Sequence, residues 1–205
     1  NNSINAIPDD YLGNIWISSF ERLHILDVKT NTLKQIPAET IVGHKVKANF
    51  NVISLFEDSK KRIWLGTSEG LVIYDRSKNK FNKVKITNEA TNLVHYIRAI
   101  TEDHLGDIWV GTDYGIIKVN LKPENKDHNK MFLTKSMVYE IKKDKNLLWV
   151  GTEDGLYVLN INNDQIQYYG IDIRDRFSLS SKTVKSIFLD KEGLVWIGTY
   201  RGGIN

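Results

Sequence analysis

The chain of 205 residues is predicted to be all-β and to form part of a β-propeller. Its five tryptophans recur about every 45 residues, which is the length of one four-stranded propeller blade. Short apolar runs separated by turn residues surround each tryptophan, and no long stretch keeps the apolar period of an α-helix. We therefore expect a series of small antiparallel sheets with few helices.

The residues that flank the tryptophans repeat with them. Small residues follow two positions later, at Ser18, Gly66, Gly111, Gly151 and Gly198. Hydroxyl residues follow three positions later, at Ser19, Thr67, Thr112, Thr152 and Thr199. An aspartate precedes the tryptophan by six positions in four copies, at Asp10, Asp58, Asp103 and Asp190. The fourth copy has a turn one residue shorter and offers Asp144 in place of that aspartate. This agreement identifies five copies of one unit.

Each copy is predicted to contain three clear strands and a weaker fourth. In the second copy these are VISLFED, RIWLGT, LVIYD and the KFNKVKI segment around Phe81. The Asp-x-x-Gly turn predicts a hairpin whose glycine has positive φ and whose aspartate accepts a bond from the amide two residues on. A glycine six positions after the tryptophan is expected to take positive φ at the next turn, at Gly70, Gly115, Gly155 and Gly202.

Tryptophan and glycine have predicted structural roles in this unit. The indole supplies a large apolar surface at the contact between two blades. The glycine two positions later leaves room for the neighbouring blade to approach. We therefore expect these residues in the core rather than in a binding site.

The repeat divides the chain into four full four-stranded blades and a partial fifth. The blades are expected at about residues 1–48, 49–93, 94–134 and 135–180, with the partial fifth at 181–205. A seven-bladed ring needs more residues than this, so residues 1–205 are expected to form an incomplete arc of a larger, seven-bladed propeller. An open arc exposes an apolar blade face, which favours self-association through the blades.

Composition excludes several classes of protein. The 28 basic and 25 acidic residues are interspersed and give a net charge of +3, so no basic stripe suits nucleic acid. No apolar run is long enough to insert into a membrane, and the NNSINAIPDDYLG start does not resemble a signal peptide. The absence of cysteine excludes disulfides, thiolate catalysis and cysteine-based zinc sites.

Three segments carry a family resemblance: IRAITEDHLGDIWVGTDYGIIKVN, VKSIFLDKEGLVWIGTYRGGIN and the RFSLSSKTVKSI lead-in. They resemble the two-component regulator propeller repeat. The resemblance implies the periplasmic sensor region of a Bacteroides-type hybrid two-component histidine kinase, which responds to products of polysaccharide breakdown. The chain departs from the pattern at Ser18, Arg22 and Lys61, where glycines are expected, and it contains no kinase motif.

The turn between the second and third strands and the lead-in to the first strand are expected to share one face of each blade. Aromatic rings beside carboxylates and arginine suit a carbohydrate, because rings stack on sugars and charged groups bind paired hydroxyls. Tyr114, Tyr200 and Arg201 are the leading candidates for ligand binding. The other candidates are Glu69, Asp113, Glu153, Asp154, Tyr96 and Arg98. The same loops also contain Phe20, Glu21, Ser68, His44, Lys47, Asn49, Asn51, His95, Lys182 and Lys185.

No catalytic residue, cofactor or metal site is predicted. His44 and His95 lie in comparable loops but lack an evident carboxylate partner, and adjacent residues such as Glu153 and Asp154 point apart on a turn. The charged segment at residues 121–130 is most simply a solvated insertion, with partner binding as the alternative. Three functions remain open: a sensor of oligosaccharides, an enzyme such as a lyase or glycosidase on a propeller scaffold, and a dimerisation scaffold.

Overall fold

The computed structural model describes residues 4–19, 22–46, 50–86, 96–119, 121, 129–133 and 135–205. Within these ranges the chain forms nineteen strands in five sheets and one short helix, α1, at Ala38–Val42. The helix was not predicted, but the all-β class and the scarcity of helices are confirmed. No described helix is long and apolar enough to cross a lipid bilayer.

Consecutive strands pair in every sheet. The first sheet contains β1 (Ile4–Ala6), β2 (Ile15–Ser19), β3 (Arg22–Asp27) and β4 (Thr32–Ile36). The second contains β5 (Val52–Glu57), β6 (Ile63–Thr67), β7 (Gly70–Asp75) and β8 (Lys80–Val84). The third contains β9 (Ile97–Glu102), β10 (Ile108–Thr112), β11 (Gly115–Val119) and β12 (Lys130–Phe132).

The fourth sheet contains β13 (Val138–Asp144), β14 (Leu147–Thr152), β15 (Leu156–Asn160) and β16 (Ile166–Tyr169). The fifth has three strands, β17 (Val184–Leu189), β18 (Val195–Thr199) and β19 (Gly203–Ile204). Four four-stranded antiparallel sheets and a partial fifth are the predicted propeller blades, including the weak outer strands β8 and β16.

The described residues divide into two compact units. The first runs up to Ile100 and includes Asn129, and the second holds Thr101 to residue 121 and Lys130 to Asn205. In the first unit Trp16 packs against Val52 and Leu65 of the second sheet, and its ring meets Tyr74 edge-on with centroids 5.4 Å apart. In the second unit Trp149 packs on a buried cluster at the fourth and fifth sheets: Leu156, Leu179, Val184, Ile187 and Ile197.

The glycines after these tryptophans provide the expected room. A Cβ atom on Gly66 would lie 2.5 Å from the carbonyl oxygen of Ile97, the first residue of β9. A Cβ atom on Gly151 would lie 2.8 Å from Cγ1 of Val184, the first residue of β17. Only a residue without a side chain allows the inner strand of the next blade to approach this closely.

In four of the five copies, the aspartate of the first turn binds both that turn and the tryptophan. One carboxylate oxygen of Asp58 accepts bonds from the amides of Lys60 and Arg62, at 3.0 and 2.9 Å. The other oxygen accepts the indole N–H of Trp64 at 2.8 Å. The same indole bond spans 2.8 to 2.9 Å in three further pairs: Asp10 with Trp16, Asp103 with Trp109, and Asp190 with Trp196. The bond to the amide two residues on confirms the predicted turn, whereas the indole bond was not foreseen.

Turn conformations follow the predicted glycine pattern with two differences. Positive φ occurs at Gly13, Gly106 and Gly193, at Lys61 where the second copy lacks glycine, and at Gly70, Gly115 and Gly155. The expectation for Gly202 is wrong, because Arg201 and Gly203 take positive φ instead. Thr199 pairs with Gly203, whereas Thr67 pairs with Gly70, so the fifth copy has a turn one residue longer.

The fourth copy lacks the link between aspartate and tryptophan. Its shorter turn places Asp144 opposite Leu147 in the ladder between β13 and β14, so Asp144 does not replace the missing aspartate. The Nε1 atom of Trp149 is buried and has no hydrogen-bond partner among the described residues. A buried N–H without an acceptor costs free energy, so this blade departs from the rule that the other four obey.

Replacing tryptophan by phenylalanine should therefore destabilise two blades to different extents. Trp64→Phe removes a donor to the buried Asp58 carboxylate and leaves a void, which should cost about 3 kcal/mol in the free energy of unfolding. Trp149→Phe removes an unsatisfied N–H, so its cost should stay below about 1 kcal/mol. Urea unfolding followed by circular dichroism measures both, and equal losses would contradict the assigned role of the aspartate.

Acid should destabilise the first blade through Asp10. Burial raises the pKa of Asp10, but bonds from Trp16, Asn14 and Arg76 outweigh it and lower this pKa from 3.8 to about 2. Because the folded pKa lies below the unfolded one, Asp10 contributes stability above the unfolded value, and this contribution is lost as pH falls from about 4 towards about 2.

The variant Asp10→Asn tests this pH dependence. It should be less stable than the wild type at pH 7 and should lose less further stability on acidification, as measured by urea midpoints between about pH 6 and about pH 2. Asp9→Asn, which changes an exposed neighbour, serves as the control at pH 7. Parallel pH profiles for Asp10→Asn and the wild type would rule out this contribution.

Candidate functional site

The turn after the second strand and the start of the first strand lie at one edge of each sheet. The ladders pair Val52 with Thr67, Val138 with Thr152, and Val184 with Thr199. A backbone hydrogen bond closes this edge, because the amide of the first turn residue donates to a carbonyl oxygen in the lead-in loop. The donor and acceptor residues are Ser68 and Asn51, Glu153 and Met137, and Tyr200 and Thr183. We call this edge the turn edge. It confirms the predicted grouping of turns and lead-in loops within the second, fourth and fifth sheets.

A β-bulge marks the second residue of the inner strand. The ladder skips this position in four sheets, at Asn5, Ile53, Tyr139 and Lys185. Arg98 holds the second position of β9. A bulge re-aims a side chain and is frequent next to binding sites. These five residues differ in chemistry from sheet to sheet, whereas the residues on either side of them repeat. A variable position inside a repeated pattern is the sequence signal that would have identified Tyr139.

Four side chains of the second unit come together at this edge. The Lys185 ammonium lies 3.2 Å from the ring centroid of Tyr139 and 5.8 Å from that of Tyr200. The guanidinium of Arg201 lies 5.0 Å from the same Tyr200 ring. We call Tyr139, Lys185, Tyr200 and Arg201 the tyrosine–cation cluster. Aromatic faces surround Lys185, and among the described carboxylates none is within ion-pair distance of it.

The fourth-sheet turn holds the candidates Glu153 and Asp154. The Asp154 carboxylate accepts bonds from the hydroxyls of Ser136 at 2.5 Å, Thr152 at 2.6 Å and Tyr157 at 3.2 Å. Burial raises the pKa of Asp154, but these bonds outweigh it and lower the pKa below its ordinary value. Both residues are exposed; Asp154 is hydrogen-bonded within its own turn, and Glu153 accepts a bond from the amide of Met137 at 3.2 Å.

The first unit contains two further pairs. His44 Nε2 lies 2.9 Å from the Glu69 carboxylate, and His44 Nδ1 lies 3.1 Å from the carbonyl oxygen of Val42. The expectation that His44 lacks a carboxylate partner is therefore wrong, because Glu69 occupies a turn distant in sequence. The Arg98 guanidinium lies 5.8 Å from the ring of Tyr96, which is 42% exposed. No group of three potential metal ligands occurs within the described ranges.

The remaining candidates are placed individually. Asp113 and Tyr114 form the turn between β10 and β11, where the Tyr114 amide donates to Thr112 Oγ1 at 3.0 Å and the side chain is 43% exposed. Lys182 is exposed in the lead-in to β17. Phe20, Glu21, Lys47, Asn49 and His95 lie outside the described residues, as do residues 122–128 of the charged insertion.

Residues 46–69, 93–114 and 178–201 match the family described as two component regulator propeller. The chain carries two-component regulator propeller repeats. Each matched segment of this propeller includes a tryptophan and the turn that follows its strand. A search of curated proteins finds no match.

Solved structures agree with this propeller assignment. The chain is similar to the extracellular domain of the hybrid two component system BT4673 from B. thetaiotaomicron, with a TM-score of 0.84 and 21% identity over 98% of this chain and 26% of that one. It is also similar to the extracellular domain of the hybrid two component system BT3049 from the same organism. The TM-score is 0.78, and the identity is 23% over 98% of this chain and 26% of that one. The propeller chain thus spans about a quarter of these extracellular domains.

A streptogramin B lyase is also similar, with a TM-score of 0.68 and 16% identity over 100% of this chain and 68% of that one. At such identities the structural likeness shows the β-propeller fold alone. It does not carry the reaction of the lyase to this propeller.

The turn network makes a prediction for Tyr157. Burial, together with the charge of Asp154 and the bond to it, raises the pKa of Tyr157 to about 12. Asp154→Asn removes the negative charge, so the pKa should fall towards its ordinary value of 10.0, as followed by NMR of the tyrosine ring carbons. Glu153→Gln is the matched control and should leave the pKa at about 12. A pKa that does not move in Asp154→Asn would contradict this coupling.

Proposed function

We propose that this propeller is a ligand-binding part of the periplasmic sensor region of a hybrid two-component system. Its ligand would be an oligosaccharide released from a polysaccharide, and its output would be control of a membrane histidine kinase. The propeller repeats and the likeness to extracellular domains of such systems support the sensor role. The tyrosine–cation cluster supports the assignment of the ligand.

The cluster offers the two kinds of contact that a sugar uses. Tyr139 and Tyr200 offer ring faces on which a sugar ring stacks, and Tyr200 is 52% exposed. Lys185 and Arg201 offer cations at the same rings, and a guanidinium binds carboxylates and sulfates in bidentate fashion. Because none of the described carboxylates pairs with Lys185, the site should prefer sugars that carry an acidic group.

The other candidate residues occupy equivalent positions in their own sheets. Glu69, Asp113 and Tyr114 lie in turns at the turn edge, and Tyr96 and Arg98 lie at the start of β9. Carboxylate and guanidinium groups at such positions suit paired sugar hydroxyls. We propose them as carbohydrate contacts, each within its own compact unit.

Signalling would use self-association of the propeller, in which blades of one subunit contact blades of another. Ligand binding would then bias the arrangement of two subunits, and membrane helices would transmit that bias to the kinase.

Defined oligosaccharides test the proposal by titration calorimetry. A tetramer of galacturonic acid should bind, and Lys185→Ala should weaken it at least about tenfold, while a neutral cellotetraose should be affected less. Tyr139→Ala should weaken both tetramers because both lose a stacking surface. Lys191→Ala, which changes an exposed lysine in the turn between β17 and β18, is the matched control and should leave binding unchanged.

Three outcomes would overturn the proposal. Failure of every oligosaccharide to bind up to about 10 mM, with dimers still present, would favour a dimerisation scaffold. Cleavage of the polysaccharide by the chain would favour an enzyme. Equal effects of Lys185→Ala and Lys191→Ala would remove the cluster from the ligand site.

A further inference from the structure

Glu140 stands where the second and fifth sheets carry serine. It is the third residue of β13 and pairs in the ladder with Gly151, the small residue that follows the tryptophan of its sheet. Ser54 and Ser186 hold the same position in the second and fifth sheets, each opposite the equivalent glycine. The fourth sheet thus replaces a short hydroxyl side chain by a long carboxylate.

The side chain at this position bonds the inner strand of the neighbouring sheet. In the first unit, Ser54 Oγ donates to the carbonyl oxygen of Ile97, the first residue of β9, at 3.2 Å. In the second unit, the amide of Ile187 donates to Glu140 Oε2 at 2.6 Å. Ile187 is the fourth residue of β17. The carboxylate therefore reaches further along the neighbouring strand than the hydroxyl does.

The amide that Glu140 binds belongs to the first strand of its sheet. This strand, β17, pairs with β18, so amides on its other edge need acceptors from outside the sheet. Ile187 is buried, and the carboxylate supplies its amide with such an acceptor. The other oxygen, Glu140 Oε1, lies 2.9 Å from Nζ of Lys142. A partner on each oxygen therefore fixes the carboxylate.

Lys185 lies between two fixed points of β17. On one side, Val184 packs against Gly151, where a Cβ atom would lie 2.8 Å from Cγ1 of Val184. On the other side, Ile187 is bonded to Glu140. Lys185 occupies the bulge between these points, about 7 Å of extended strand from Ile187. The position of its backbone is thus set from both sides by the fourth sheet.

We propose that Glu140 is a positioning residue for the tyrosine–cation cluster. Tyr139, whose ring centroid lies 3.2 Å from the Lys185 ammonium, directly precedes Glu140 in β13. The bond to the Ile187 amide fixes β17 against β13 and so holds Lys185 over the Tyr139 ring before a ligand binds. A side chain that is ordered in advance lowers the entropic cost of binding. The consequence for the ligand rests on the proposed function, whereas the geometry of the cluster does not.

The NMR shift of the Lys185 side chain tests the positioning directly. Protons above the face of an aromatic ring shift upfield, so the Cε protons of Lys185 should resonate upfield of those of the exposed Lys191. Tyr139→Ala should remove this difference, which assigns it to the ring. Glu140→Ser introduces the residue of the second and fifth sheets, whose hydroxyl is too short for the Ile187 amide. In this variant the Lys185 protons should move most of the way to the Lys191 value.

Further variants separate the bond from the charge. Glu140→Gln keeps an oxygen for the Ile187 amide and loses only the charge, so it should retain the upfield shift. Glu140→Asp keeps the charge and shortens the reach, so it should move Lys185 in the same direction as Glu140→Ser and decides the test if that variant does not fold. Ser54→Ala is the matched control, because it breaks the equivalent bond of the first unit and should leave Lys185 unchanged.

Two results would overturn the positioning role. One is a Lys185 shift that stays at the wild-type value in Glu140→Ser and Glu140→Asp. The other is a loss of the upfield shift in Glu140→Gln as large as the loss in Glu140→Ser.

Sugar titrations of the same variants test the consequence for the ligand. The tetramer of galacturonic acid should bind Glu140→Ser about fivefold more weakly than the wild type and Glu140→Gln within about twofold of it. Equal affinities of Glu140→Ser and the wild type would overturn this consequence. If no sugar binds the wild type, the proposed function fails, and the Lys185 shift still decides the role of Glu140. If sugars bind but the shift is unchanged in Glu140→Ser and Glu140→Asp, the positioning role fails and the proposed function stands.

Discussion

The bond between an aspartate carboxylate and a tryptophan indole is the interaction on which the repeat depends. In the first blade, Asp10 holds the hairpin turn through the amides of Leu12 and Asn14 and holds Trp16 through its other oxygen. Trp16 in turn packs on the second sheet, and Arg76 of that sheet reaches Asp10 at 3.0 Å. One buried carboxylate thus fixes a turn, the orientation of an interface side chain and the approach of the neighbouring sheet. Its burial is tolerated because donors surround both oxygens.

The opposite end of each sheet combines a rigid framework with variable chemistry. The glycine two positions after the tryptophan lets the inner strand of the next blade lie close, as Gly151 does for Val184. The bulge then frees the second residue of that strand from the ladder, as at Tyr139 and Lys185. Since this residue lies outside the strand ladder, its identity can change from blade to blade without disturbing strand pairing. A repeat protein can in this way alter its ligand without altering its fold.

The repeat could be predicted from the sequence because its determinants are local. Asp58, Trp64 and Gly66 lie within nine positions of one another, and each has one role that the surrounding pattern reveals. The site was only partly predictable, because its residues meet across blades. Lys185 and Tyr200 were identified from their loops, but Tyr139 lies far away in sequence and meets Lys185 only because neighbouring inner strands lie side by side. The pair of His44 with Glu69 was missed for the same reason. The conformation of the loop at residues 170–179 depends on hydrogen bonds between residues of that loop, which carry no periodic signal.

The fourth blade shows how a departure from a repeat becomes informative. A turn one residue shorter deprives Trp149 of its acceptor, and neither Asp144 nor another described group replaces it. A uniform array gains nothing from such a loss, since the aspartate would restore a hydrogen bond at no cost to packing. Natural proteins tolerate local violations mainly where another requirement outweighs stability. Trp16, Trp64 and Trp109 keep their aspartates and are fully buried, whereas the Nε1 atom of Trp149 is buried without an acceptor among the described residues. The shorter turn of the fourth blade therefore costs this sheet the bond that joins turn and tryptophan in the other four.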